Sequence, residues 1–347
     1  MRFQNLVLAA ALFALAAADR VRADDVYYVG NTNGSSYSFG TVNSAGQTTV
    51  LGKGLTFGGA GAEQLMFAPN GTLYGFDVAY GGGSGAWGSI NTATGAFTQI
   101  GDLNTYFPYY GGDHNANYGF SLAFGSSGNL YVTGSNVNNN FVYGTLSLTT
   151  GAFTDIAASP VGFAGSLAAW GNSVYYVGNT NGSSYSFGTV NSAGQTTVLG
   201  KGLTFGGAGA EQLMFAPNGA LYGFDVAYGG GSGAWGSINT ATGAFTQIGD
   251  LNTYFPYYGG DHNANYGFSL AFGPSGNLYV SGSDVNNNFV YGTLSLTSGA
   301  FTEIAASPVG FAGSLANTVP EPSTFVLLGA GAFALFGYRS WRRRWRQ

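Results

Sequence analysis

Leu65-Met66-Phe67-Ala68-Pro69-Asn70-Gly71-Thr72-Leu73-Tyr74 and Leu122-Ala123-Phe124-Gly125-Ser126-Ser127-Gly128-Asn129-Leu130-Tyr131 are two versions of one pattern. A short apolar run stops at a cluster of turn residues, and a second apolar run leaves it, so each stretch reads as a β-hairpin. A third version, Leu167-Ala168-Ala169-Trp170-Gly171-Asn172-Ser173-Val174-Tyr175, follows further on. Behind each hairpin lies another pair of short runs around a Gly turn. Examples are Trp87-Gly88-Ser89-Ile90 with Thr94-Gly95-Ala96-Phe97-Thr98, and Tyr143-Gly144-Thr145-Leu146 with Thr150-Gly151-Ala152-Phe153-Thr154. The unit is four short strands. Aligning Phe67, Phe124, Ala169 and Phe215 gives spacings of 57, 45 and 46 residues.

A larger period contains the smaller one. Residues 26–168 recur as 174–316, shifted by 148, and only six of 143 positions differ. They are Thr72/Ala220, Ser126/Pro274, Thr133/Ser281, Asn136/Asp284, Thr150/Ser298 and Asp155/Glu303. Four strands in about 40 to 50 residues is the spacing of a β-propeller blade, and three units per half predict six blades. The ends of the repeat support a ring. The fourth unit opens with Ala164-Gly165-Ser166-Leu167-Ala168, its innermost strand, and the first unit lacks that strand. The same five residues reappear at the far end as Ala312-Gly313-Ser314-Leu315-Ala316. A C-terminal strand that completes the N-terminal blade closes the ring and removes open edges. An open solenoid gains nothing from this arrangement; the other alternative pairs two three-bladed halves between molecules. The expectation is an all-β, six-bladed propeller of four-stranded blades over residues 24–318.

Composition agrees. The chain has 60 glycines, but 27 Phe and 23 Tyr argue against disorder. Residues 24–318 hold Lys53, Lys201, no arginine and 13 acids, a formal net charge of −11. Nucleic acid and anionic surfaces are disfavoured partners for such a body. Cations and neutral polymers such as glycans stay open. With no cysteine, no disulfide contributes to stability.

In a propeller, loops joining strands two and three share a face with the loops joining successive blades. Here those connections are long: Tyr80 to Gly85, Ser135 to Asn140 and Asp102 to Tyr118, each recurring at +148. The opposite face carries only tight turns. Function on a scaffold usually sits in such loops. Tyr106, Phe107, Tyr109 and Tyr110, with Tyr254, Phe255, Tyr257 and Tyr258, are candidates for an aromatic platform on which sugar rings stack. The favoured alternative has these rings folding back to seal the gap between blades, because large aromatics are commonly buried. Asp113-His114-Asn115 and Asp261-His262-Asn263 contain the chain's two histidines. They fall short of a zinc set. Asp113, Asn115, Asp261 and Asn263 are weak Ca²⁺ candidates, and a polar turn is the better reading. No other cofactor is expected. Glu63 and Glu211 precede innermost strands, and a carboxylate pair near the axis is the one arrangement here that suits hydrolysis. No nucleophile–base constellation accompanies it, so no catalytic residue is assigned.

The two ends are addresses. Arg2 precedes the apolar stretch Leu6 to Ala17, and small residues follow, as in a secretory signal peptide. Cleavage after Ala23 is favoured over Ala18 because the repeat begins almost at once, giving a signal peptide over 1–23. At the other end stand Val319-Pro320-Glu321-Pro322, an uncharged apolar run over 323–338, and a tail with Arg339, Arg342, Arg343, Arg344 and Arg346. Pro320 and Pro322 keep the box extended. The run is just short of a usual span, and the arginines keep the tail cytoplasmic. This order of features resembles the PEP-CTERM sorting signal of exported bacterial proteins; the alternative is an ordinary C-terminal anchor. The resemblance covers only residues 319–347. It implies an exosortase-like membrane protease as partner, transient inner-membrane anchoring and delivery to the cell surface. It also implies an association with extracellular polysaccharide, since PEP-CTERM proteins look tied to bacteria that make such material. The reading is a non-enzymatic surface or matrix protein, with a carbohydrate-active lyase or hydrolase and a purely structural spacer as alternatives.

Overall fold

The computed structural model describes residues 25–30, 37–55, 63–77, 85–107, 120–160, 165–178, 185–203, 211–225, 233–255, 268–308 and 314–317. The expected signal peptide over 1–23 and the sorting tail lie outside them, as do most of the connections on the loop face. Among the described residues the only helices are two single 3₁₀ turns, Leu103–Thr105 and Leu251–Thr253. No helix there is long and apolar enough to cross a membrane.

Every other regular element among the described residues is a strand. The first blade holds β1 (Val26–Gly30), β2 (Tyr37–Val42) and β3 (Thr48–Leu55). The second is β4 (Glu63–Phe67), β5 (Leu73–Asp77), β6 (Ala86–Ile90) and β7 (Phe97–Asp102). The third is β8 (Phe120–Phe124), β9 (Leu130–Ser135), β10 (Phe141–Leu146) and β11 (Phe153–Ala158). The fourth is β12 (Gly165–Trp170), β13 (Ser173–Gly178), β14 (Tyr185–Val190) and β15 (Thr196–Leu203). The fifth is β16 (Glu211–Phe215), β17 (Leu221–Asp225), β18 (Ala234–Ile238) and β19 (Phe245–Asp250). The sixth is β20 (Phe268–Phe272), β21 (Leu278–Ser283), β22 (Phe289–Leu294) and β23 (Phe301–Ala306). The last strand, β24 (Ser314–Ala316), does not extend the sixth blade. It pairs antiparallel with β1, Tyr27 opposite Ala316 and Val29 opposite Ser314, and becomes the innermost strand of the first blade.

The ring is the six-bladed, four-stranded propeller expected from the spacing, closed by the C-terminal strand. Each sequence half supplies an innermost strand to the other half's first blade. The first half gives the start of β12 to the fourth blade, and the second half gives β24 to the first. The two halves are thus stitched to each other twice.

Six apolar clusters fill the six gaps between blades. The gap that closes the ring holds Val26, Tyr28 and Leu315 from the first blade against Ala271, Tyr279 and Tyr291 from the sixth. Its counterpart between blades three and four holds Ala123, Tyr131, Tyr143, Leu167, Val174 and Tyr176. Serines stitch the inner strands together: the backbone N–H of Leu167 donates to Ser121 Oγ at 2.8 Å and that of Leu213 to Ser166 Oγ at 3.2 Å. The second half repeats this, with Leu315 N–H to Ser269 Oγ at 2.8 Å and Leu65 N–H to Ser314 Oγ at 3.2 Å.

Each blade's third strand carries an aromatic residue followed by glycine: Phe39-Gly40, Trp87-Gly88, Tyr143-Gly144, Phe187-Gly188, Trp235-Gly236 and Tyr291-Gly292. All six aromatic side chains are fully buried. Opposite each, on the outer strand, stands Gly52, Gly101, Ala157, Gly200, Gly249 or Ala305. The glycine beside the indoles has a steric cause: a Cβ at Gly101 would lie 2.6 Å from Trp87 Nε1. The same outer-strand residues receive the turn glycines of the next blade. At Gly151, φ is +71°, and a Cβ would lie 2.7 Å from Gly101 Cα. Glycine there serves both a left-handed turn and the close approach of two blades.

Three of the six differences between the halves leave a hydrogen bond in place. Thr133 and Ser281 each bond a buried serine, Ser159 and Ser307 respectively. Thr150 and Ser298 accept from Ala152 and Ala300 N–H at 3.4 Å. Asn136 and Asp284 accept from the N–H groups of Asn138 and Asn140, or Asn286 and Asn288.

Candidate functional site

Antiparallel blades put every long connection at one end of the ring, where the second strand runs into the third and the fourth into the next blade. The strand ends that frame this loop face carry six of the body's 13 acids. Glu63 and Glu211 open β4 and β16, and Asp77 and Asp225 close β5 and β17 directly opposite them in register. Asp77 and Asp225 are buried, at 0 % and 1 % exposure. Asp102 and Asp250 close β7 and β19 and cap the 3₁₀ turns, each accepting from the N–H two residues on at 2.8 Å.

These 3₁₀ turns lead into the predicted aromatic platform. Phe107 and Phe255 are buried, each edge-on to an outer-strand ring of the next blade. The centroids lie 5.0 Å apart for Phe107–Phe153 and for Phe255–Phe301. Tyr106 and Tyr254 are half-buried on the same rings, at 5.8 and 5.7 Å. This half of each set packs into the gap between blades, and its anchor is Leu103 or Leu251, fully buried at the turn. Tyr109, Tyr110, Tyr257 and Tyr258 lie outside the described residues. So do the Ca²⁺ candidates Asp113, Asn115, Asp261 and Asn263, together with the sorting residues 319–322 and the arginine tail. Among the described residues, no group of three or more His, Cys, Asp or Glu side chains could hold a metal ion.

One loop on this face is described in full in both halves. Asn136-Val137-Asn138-Asn139-Asn140 is wound around its first side chain, with Asn139 at φ +59° and Val137 half exposed at the tip. In the second half the first residue is Asp284. Desolvation, the largest single influence on its carboxyl, raises it. The backbone and side-chain N–H groups of Asn288 and Asn286 outweigh that, and its pKa is held below the ordinary value. The substitution puts a negative charge on one of two otherwise matched loops.

Sequence reading missed Asp77 and Asp225. The available signal was an aspartate ending an otherwise apolar strand, Leu73-Tyr74-Gly75-Phe76-Asp77. Two other buried polar groups have no visible chemistry. The Tyr143 and Tyr291 hydroxyls find no hydrogen-bond partner among the described residues. Burial, with the stacked rings of Tyr131 and Tyr279 adding to it, pushes both phenols far above their ordinary pKa, so they stay neutral.

Comparison with known proteins separates the address from the body. Residues 318–344 match the family model described as the PEP-CTERM protein-sorting motif, so the chain carries that motif at its C-terminal end. The motif marks an exported, surface-directed protein processed by an exosortase. No curated protein matches the chain. Among solved structures, TolB from Acinetobacter baumannii is similar at 14% identity and a TM-score of 0.56, over 90% of this chain and 71% of that one. A chain of the nidogen/laminin complex is similar at 11% identity and 0.52, over 85% and 99%. A proposed 6-phosphogluconolactonase from Bacteroides fragilis is similar at 12% identity and 0.51, over 86% and 100%. At these identities the likeness concerns the fold alone.

Proposed function

We propose that this exported propeller is a non-enzymatic cell-surface or matrix protein whose loop face binds extracellular polysaccharide. The observation that carries the reading is the pairing of a sorting address with a rigid ring that presents its long connections at one end, each in two copies. Neutral or weakly charged glycan suits the face, because an acidic rim without arginine repels polyanions. Asn-rich loops offer amide donors and acceptors for sugar hydroxyls, and the tyrosines at 109, 110, 257 and 258 supply rings for stacking.

The test is binding of the purified ring to a glycan array and to the exopolysaccharide of its own host. We expect retention without release of shorter products. Replacing the four tyrosines with alanine is expected to weaken retention at least tenfold, which corresponds to about 1.4 kcal/mol. Unchanged binding would move the contact away from these loops. No retention on any glycan would favour a structural spacer.

The carbohydrate-active alternative draws on one observation, the register that sets Glu63 against Asp77 and Glu211 against Asp225. It expects product release that Glu63→Gln and Glu211→Gln together abolish.

A further inference from the structure

We propose that the ring is held with its tight-turn face against the membrane surface and its loop face pointing away. This rests on the reading that the sorting tail anchors the protein in the bilayer, at least before processing. Two independent features lead to it.

The first is where the chain leaves the ring. An innermost strand starts on the loop face and ends on the turn face. β24 follows that rule, since Ala316 lies beside Tyr27 and Ser314 beside Val29. The next residue, Asn317, donates from its side-chain amide to the backbone carbonyl of Asp25 at 3.1 Å. The two ends of the body are therefore fastened together on the turn face, at the one inner hairpin whose turn is replaced by chain ends. From Asn317 to Ser323, where the apolar run starts, there are six residues. Even fully extended they reach about 20 Å. That is comparable to the roughly 20 Å of one six-residue strand, so the linker is too short to let the ring turn over freely.

The second feature is charge. Eleven tight turns make up this face: 43–47, 68–72, 91–96, 125–129, 147–152, 171–172, 191–195, 216–220, 239–244, 273–277 and 295–300. None contains Asp, Glu, Lys, Arg or His. They are built from Asn, Ser, Thr, Gly, Ala, Pro and a few Gln, Leu and Asn-capped positions whose polar groups bond within the turn. In this body of net charge −11, nine of the 13 acids stand at the strand ends and connections of the loop face; Asp155 and Glu303 follow their turns by three residues on the outer strands, and Asp25, with Asp24 before it in the chain, stands where the chain ends meet on the turn face. Asp25 is buried. An anionic bilayer repels the end of the ring that carries nine acids more strongly than the end whose eleven turns are uncharged, and at physiological salt the difference is felt within about 8 Å. Tether and charge select the same orientation.

The chain has no cysteine, so single cysteines can be placed at will. Ser44→Cys sits on an exposed turn, and Val137→Cys sits at the half-exposed loop tip. Each full-length variant is labelled with a donor fluorophore and reconstituted into vesicles of phosphatidylcholine and phosphatidylglycerol that carry an acceptor lipid. Flotation reports anchoring; energy transfer reports orientation. We expect both variants to float and transfer at Ser44→Cys to exceed that at Val137→Cys at least threefold. Equal or reversed transfer in floating protein would overturn the orientation and leave the anchor intact. Protein that stays at the bottom of the gradient would overturn the anchor reading, and the orientation with it.

Discussion

A chain ended after residue 312 is expected to lose the closed ring, whereas a chain ended after residue 317 keeps it. Both lack the sorting tail, so the comparison isolates residues 313–317, the three of β24 with Gly313 and with Asn317, whose amide bonds the Asp25 carbonyl. Their role is out of proportion to their number. Leu315 fills the cluster that joins the first blade to the sixth, and its N–H is held by Ser269 of the sixth blade. Ser314 passes the contact on to Leu65 of the second. Without them β1 presents an open edge, and the last gap between blades loses its inner wall. Leu315→Asp in the 317-residue chain does the same damage by one substitution, because a carboxylate would be buried with no partner cation nearby. An unpaired buried charge costs several kcal/mol, against a total stability of about 5–15 kcal/mol for a domain. We expect both variants to lose at least 10 °C in Tm by near-ultraviolet circular dichroism, or to lose a cooperative transition altogether. Melting within about 2 °C of the 317-residue chain, a shift of well under 2 kcal/mol, would show that the ring is closed by something other than β24.

How much of this was legible in the residues follows from what each level of pattern encodes. The hairpin at Leu65–Tyr74 and its copies are local, since turn residues and strand residues declare themselves within ten positions. Ring closure was legible for a different reason. A duplication leaves a strand over at one end and short at the other, and Ala312 to Ala316 repeats Ala164 to Ala168. What sequence reading could not supply was the direction of individual side chains. Phe107 lies four residues after Leu103, and its burial depends on the 3₁₀ turn that Asp102 caps and on Phe153 in the next blade, 46 residues away. Position alone left it as available to a sugar as Tyr109. The aromatic–glycine pair on each third strand was present six times and went unread. Its meaning lies in the facing residue, Gly101 for Trp87 or Ala157 for Tyr143, and that pairing depends on the register and its bulge. Likewise, the absence of charge from the turns at one end emerges only when eleven separate turns are brought together there.

Trp87→Ala is expected to be the most damaging single truncation within a blade, and Trp87→Phe to be mild. The indole is fully buried and stacks on Phe76, centroids 5.7 Å apart at 10°. It sits in the gap between the second and third blades with Tyr74, Leu122, Phe124 and Val132. Removing it leaves a cavity that neighbouring strands cannot close, because Gly101 and Gly151 already touch behind it. Truncations of this kind cost about 3–5 kcal/mol. Trp87 Nε1 finds no partner among the described residues, so phenylalanine gives up volume and no hydrogen bond. It also relieves the burial of an unsatisfied donor, which by itself costs about 1–3 kcal/mol. Trp235 occupies the matching position between blades five and six, in a separate cluster. The two alanine substitutions should therefore add to within about 0.5 kcal/mol, leaving the double variant at or beyond the limit of folding. Urea denaturation of the four chains checks each step. A loss at Trp87→Phe as large as at Trp87→Ala would mean that the indole N–H is bonded after all, through water or through a group outside the described residues. A double variant no worse than either single one would mean that the two halves of the ring unfold separately, each feeling only its own defect.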